Sequence, residues 1–204
     1  MFDILFPALG ETIYMSFMST FFAVIIGFFL AIILIFTSKG GLKENLKVYS
    51  ILDVLINTLR SFPFIMLMIV LFPLTKFLIG KSIGTSAAII PLTIGAAPFI
   101  ARLIESAFKE VNKGVIEAAK SFGASDFQIV FKVMLVEALP SIISAITLTL
   151  ITVIGFSAMA GAVGGGGLGD VAIKYGYYRF QTDTMIYTVL ILIALVQICQ
   201  SLGD

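Results

Sequence analysis

TIYMSFMSTFFAVIIGFFLAIILIFTS (Thr12–Ser38) runs for 27 residues between Glu11 and Lys39 without a charged side chain. Crossing the hydrocarbon of a bilayer takes roughly 20 helical residues. This stretch exceeds that, and its polar groups are hydroxyls and one phenol. Outward from it, charge is absent again from Ser82–Ala101, Ala138–Gly169 and Thr184–Gly203. A shorter interval, Ser61–Thr75, has only 15 residues. It reaches span length if Arg60 and Lys76 extend their stems and leave their charges at the two interfaces. The pattern predicts an all-α membrane protein with five transmembrane helices. Their expected bounds are 12–38, 58–79, 82–105, 138–164 and 184–203. Residues 106–136 lie between the third and fourth, and residues 1–204 form one transmembrane domain.

The composition agrees. Of 204 residues, 59% are apolar and 12% charged, about half the usual charged share of a soluble domain. Mean hydropathy is +1.11. A net charge of +1 with no basic block leaves no electrostatic footprint for nucleic acid. Histidine is absent, which removes the commonest metal ligand and general base. One cysteine, Cys199, makes neither an internal disulfide nor a metal cluster. No G-x-x-x-x-G-K-[ST] occurs, so ATP is not bound here by a P-loop. Gly164–Gly169 matches G-x-G-x-x-G, but it follows a span rather than a strand, the wrong context for a dinucleotide.

The first span does not read as a cleaved signal. Asp3 and Glu11 precede it, no Lys or Arg does, and its apolar run is too long. Lys and Arg counts set the orientation. Residues 38–60 carry Lys39, Lys43, Lys47 and Arg60. Residues 102–138 carry Arg102, Lys109, Lys113, Lys120 and Lys132, so these two segments hold nine of the 13 basic residues. They are expected in the cytoplasm, with the N-terminus outside and the C-terminus inside. No basic flank follows the fifth span before Asp204, so a further tail is expected.

Residues 102–138 read as helix, break, helix. Val115, Ile116, Ala119 and Phe122 share a face at helical spacing, opposite Glu117, Lys120 and Ser121. Gly123 suits a left-handed stop. Ser125 with Gln128 is a capping-box pattern for the next helix, and Pro140 follows where the fourth span begins. The short helix either rests on the membrane surface as a connector or inserts into a groove on a cytoplasmic partner.

Glu117-Ala118-Ala119, with Gly123 four residues on and Leu139-Pro140 beyond, resembles the EAA signature of permease subunits of bacterial ABC importers. Leu59-Arg60-Ser61-Phe62-Pro63-Phe64, Gly155-Phe156-Ser157-Ala158-Met159-Ala160-Gly161-Ala162-Val163-Gly164, Gly167-Leu168-Gly169 and Tyr175-Gly176-Tyr177 resemble the methionine importer permeases. The resemblance implies a type I ABC importer permease fold in the bacterial inner membrane. It implies a homodimer coupled to two cytoplasmic ATPase subunits, fed by an extracytoplasmic methionine-binding (lipo)protein. ATP and magnesium would be held by the ATPase, and this chain would be no enzyme. Glu117, Ala118, Ala119, Ser121, Phe122 and Gly123 would form the ATPase-coupling segment, with Glu117 fixing the docking helix through hydrogen bonds or an ion pair.

The fourth span is rich in small residues, which let membrane helices approach closely. Packing explains most of them. Ser157 adds a hydroxyl to an apolar run, and Met159 is a long flexible side chain able to plug a gap. Geometry and resemblance together place Met159 near a central gate, with Gly155, Ser157 and Gly161 along the translocation path. The expected spans lack Asp, Glu and Lys away from their ends, which disfavours an ion-coupled carrier and suits a zwitterion with an apolar tail. Other small amino acids and sulfur compounds fit equally well. Pro91, Gly95 and Pro98 weaken the third span, as a packing kink or as a hinge. Arg60 reads as an interface anchor, and Asp170–Asp183 as an aromatic belt or a surface meeting the delivery protein.

Overall fold

A computed structural model describes residues 2–203; among them there is no strand. The helices are α1 (Phe2–Thr37), α2 (Leu46–Ser61), α3 (Phe64–Val70), α4 (Phe72–Ile79), α5 (Thr85–Glu110), α6 (Lys113–Ser121), α7 (Asp126–Gln128), α8 (Leu135–Ala162), α9 (Gly167–Val171) and α10 (Thr182–Gly203). Two π-helical segments, Ile129–Met134 and Ala172–Tyr177, join α7 to α8 and extend α9. Such widened turns recur at functional places in helices. Asp204, where a further tail is expected, lies outside the described residues.

The centre is α1 against α5, with α8 closing the third side. Ala23, Gly27 and Ala31 recur every four residues on α1, all buried. At Gly27 a side chain would strike Ile100 and the α5 backbone at Ala97 and Ala101. The two helices therefore meet nearly backbone to backbone, the small-xxx-small device of membrane helices. Hydroxyls bridge the same seam: Ser19 donates to the Ile89 carbonyl and Thr93 to the Ser19 carbonyl, each at 3.4 Å. At the end near α6, Ile104, Phe108, Ile129 and Val130 form the core. Toward the other end, Met15, Leu92, Val153 and Ala160 do so. α5 is one unbroken helix through both Pro91 and Pro98.

The second interval differs most from expectation. Instead of one span over 58–79, α2 begins at Leu46 and ends at Ser61. Pro63 then starts α3 at 104° to α2. Proline lacks the donor a continuing helix needs and restricts the residue before it; Phe62 is extended at φ −72°, ψ 127°. α2 runs antiparallel along α5, Ile56 packing with Leu34 and Ala101. Charges that mark 46–60 as a polar connection are thus placed against membrane helices.

They are compensated there. Arg102 pairs with Asp53 and, at 2.7 Å, with Glu105. Glu105, 2% exposed, also accepts from Lys109 at 2.6 Å and from the Tyr49 hydroxyl at 3.1 Å. Removing one partner from a buried charge network costs far more than the network contributes. Glu105→Ala leaves Lys109 without a carboxylate and Arg102 with Asp53 alone, and is expected to destabilise by about 2–3 kcal/mol through the lost charge-assisted hydrogen bonds. The check is a melting temperature of the purified protein lowered by roughly 5–10 °C, with Glu105→Gln intermediate.

Candidate coupling and translocation surfaces

α6 opens with Asn112, whose side chain accepts from the Gly114 amide at 2.8 Å. It closes at Gly123, in the left-handed region at φ +78°. Ser125 then caps the next helix: its hydroxyl accepts from the Gln128 amide, and the Gln128 side chain accepts from the Ser125 amide at 2.9 Å. The turn after α6 is therefore fixed by local chemistry, and α6 is a separate short rod at this end of the bundle.

No residue of α6 is fully buried. Its expected single apolar face divides in two. Ile116 and Ala119 pack on the core beside Phe108 and Met134. Val115, Ala118 and Phe122 lie exposed, Phe122 at 92%, and Phe127 is 67% exposed beyond the turn. The spacing 115, 118, 122 is itself helical, so α6 has an inward stripe and an outward one. A bare phenylalanine on a short rod is an apolar anchor without a pocket in this chain. Ser121 is exposed and donates to the Glu117 carbonyl at 3.0 Å. The Glu117 carboxylate meets no cation within ion-pair distance among the described residues. It lines a cavity of about 670 Å³ with Lys39, Lys109, Lys113 and Lys120, floored by Ile35, Phe108 and Met134.

The four residues expected along a path on α8 also divide. Gly155 and Met159 share an outer stripe with Leu148, Thr152 and Ala162; Met159 is 46% exposed. No atom lies within 4 Å of where a Gly155 side chain would begin. Ser157 and Gly161 lie on the opposite side. Ser157 is 1% exposed and donates to the Ile154 carbonyl at 2.7 Å. Gly161 is covered by α9, its missing side chain replaced by the backbone of Gly169 and Asp170. Two residues on a helix turn by about 200°, so 155 and 159 cannot share a face with 157 and 161. Ser157 and Gly161 are packing residues in this chain.

The glycine run after α8 folds the chain back. Gly164, Gly166 and Gly167 all have positive φ. The Gly167 amide donates to the Glu11 carboxylate at 2.7 Å and the Leu168 amide to the Thr12 hydroxyl at 2.9 Å. Gly84 donates to the Gly164 carbonyl at 2.9 Å. The run thus ties α9 to α1 and α5, and the amides of Gly164, Gly165 and Gly167 are occupied by the protein itself. Asp170–Asp183, expected as a polar stretch, continues largely as helix to Tyr177, with Lys174 on Asp170 at 2.7 Å.

A bundle of apolar helices with long exposed apolar faces, a broken second span and a short rod with an exposed apolar stripe at one end is the architecture of a helical membrane protein. The chain belongs to the family of binding-protein-dependent transport system inner membrane components, whose profile matches residues 23–202. It is 52% identical over 202 residues to the probable D-methionine transport system permease protein MetI of Vibrio cholerae, covering 99% of this chain and 90% of that one. It is 50% identical over 173 residues to the methionine import system permease protein MetP of Bacillus subtilis, covering 84% and 78%. Among solved structures, a native crystal form of the inward-facing MetNI methionine ABC transporter matches with TM-score 0.98 and 45% identity, over 100% of this chain and 94% of that one. An amino acid ABC transporter structure with histidines matches with TM-score 0.81 at 18% identity, over 98% and 91%, a likeness of fold.

Proposed function

We propose that this chain is the permease of an ATP-driven methionine importer that accepts both the L and D forms. Two copies form one translocation path and dock on two ATPase subunits, which hold ATP and magnesium. An extracytoplasmic methionine-binding (lipo)protein delivers the substrate. The α6 face is cytoplasmic, the start of α1 is outside and the end of α10 is inside. What carries this reading is the identity of about half to methionine permeases along nearly the whole chain. The exposed apolar stripe of α6 supports it, as does the lysine excess at its end of the bundle.

In this reading Val115, Ala118 and Phe122 enter a groove on the ATPase, and Glu117, Ala119, Ser121 and Gly123 hold the rod and its turn. The outer stripe of α8 faces the second copy, and Met159 from each copy narrows the path between them. The test is co-purification. Extracted in mild detergent with its cognate ATPase, the wild-type chain is expected to retain that ATPase in equal amount through size exclusion. A permease that elutes alone contradicts the proposal.

A further inference from the structure

We infer that the cavity at the α2–α3 bend is a subsite for the transported amino acid, with Arg60 receiving its α-carboxylate. The cavity holds about 210 Å³ and is lined by Arg60, Phe62, Gly95, Phe99, Thr152 and Phe156, among others. Its position is the first observation. Arg60 lies in the last turn of α2, beside the break, where its exposed side chain shares a wall with Gly95 and Phe99 of α5. Ionisable side chains placed among membrane helices mark substrate or ion paths.

The second observation is that Arg60 has no carboxylate within ion-pair distance among the described residues, while Arg102, on α5, has two. Asp53, the nearest acid on its own helix, is committed to Arg102. The guanidinium is a planar fork suited to a carboxylate. The third is the rest of the lining. Phe64 stacks on Phe156 with centroids 4.5 Å apart and planes 1° apart, making a flat aromatic wall. Gly95 leaves room, since a side chain there would touch Phe64 at 3.3 Å. Thioethers and other apolar tails pack well on such rings. Thr152 donates to the Leu148 carbonyl at 2.8 Å, which leaves its oxygen free to accept from an α-ammonium. Thr152 also belongs to the outer stripe of α8 with Gly155 and Met159, so the cavity opens beside the proposed path.

This inference rests on the proposed amino-acid import. It is tested in the assembled transporter in vesicles, in a Cys199→Ser background carrying Leu59→Cys, at a lining residue with no assigned contact to the substrate. Methionine is expected to slow alkylation of the new cysteine by a membrane-permeant maleimide at least fivefold. Methioninol, which lacks the carboxylate, is expected to have no effect. Arg60→Met should abolish the protection and Arg60→Lys restore part of it. Equal effects of methionine and methioninol, no protection at all, or full protection in Arg60→Met would overturn the subsite. The last two results are also what an Arg60 paired with the second copy would give. If the same vesicles still accumulate methionine with ATP, the subsite alone is wrong. If they do not, the import reading falls, and the subsite with it.

Discussion

Gly169→Val is expected to leave no correctly assembled permease in detergent extracts, while Gly155→Ala extracts like wild type. At Gly169 a side chain would coincide with the carbonyl and backbone carbons of Ala158, and at Gly161 with the backbone of Gly169 and Asp170. These obstacles are backbone atoms of two crossing segments, so no rotamer relieves them. Overpacking in a soft core costs about 1–3 kcal/mol; a rigid backbone contact costs more, because α9 must detach. Detachment also strands Glu11 and Thr12, which cap the amides of Gly167 and Leu168. Within this chain Gly155 has open space around it, and alanine favours helix by about 1 kcal/mol. The comparison is the monodisperse fraction on size exclusion. Normal yield of Gly169→Val would mean that α9 does not pack on α8 as described.

The second large effect concerns the rod. Phe122→Asp is expected to release the ATPase from the permease and cut ATP-driven uptake at least a hundredfold, with the permease itself still folded. Phe122 is 92% exposed and touches little of its own chain, so folding loses almost nothing. A buried aromatic anchor at an interface contributes about 2–4 kcal/mol, and a carboxylate in its pocket adds a desolvation cost. Gly123→Val acts on the same surface by another route. A β-branched residue at φ +78° is strained by about 1–2 kcal/mol, and the turn that sets the angle of α6 opens. Its expected signature is ATP hydrolysis without matching uptake. Both are read from uptake and phosphate release in the same vesicles. Full coupling in both variants would remove α6 from the mechanism.

Four helices follow the charge-free intervals because the bilayer imposes that absence on any lone side chain. The second does not, since pairing lifts the penalty: Asp53 on Arg102 conceals α2 from a search for uncharged runs. The signal that would have found it is spacing. Tyr49, Asp53 and Ile56 lie on one helical face, complementary to Arg102, Glu105 and Lys109. Ser125, Gln128 and Gly123 were legible because capping and left-handed turns depend on a few adjacent residues. The faces of α8 were not. Its last turns carry small residues on every side, so periodicity gives no phase, and Ser157 and Met159 look equivalent until α9 covers one of them. Ala23, Gly27 and Ala31 were readable as a close-packing seam from their spacing alone. The division of α6 was hidden for a different reason, since both of its stripes are apolar and only the bundle decides which one is covered.

The most direct measurement of the central claim is accumulation of labelled methionine in vesicles that hold this chain, its cognate ATPase and the binding protein, with and without ATP. Accumulation that needs ATP, survives an uncoupler and is competed by unlabelled methionine but not by unrelated amino acids is the predicted result. ATP hydrolysis without methionine movement would contradict the substrate. Uptake that ignores ATP and collapses with the uncoupler would contradict the importer itself.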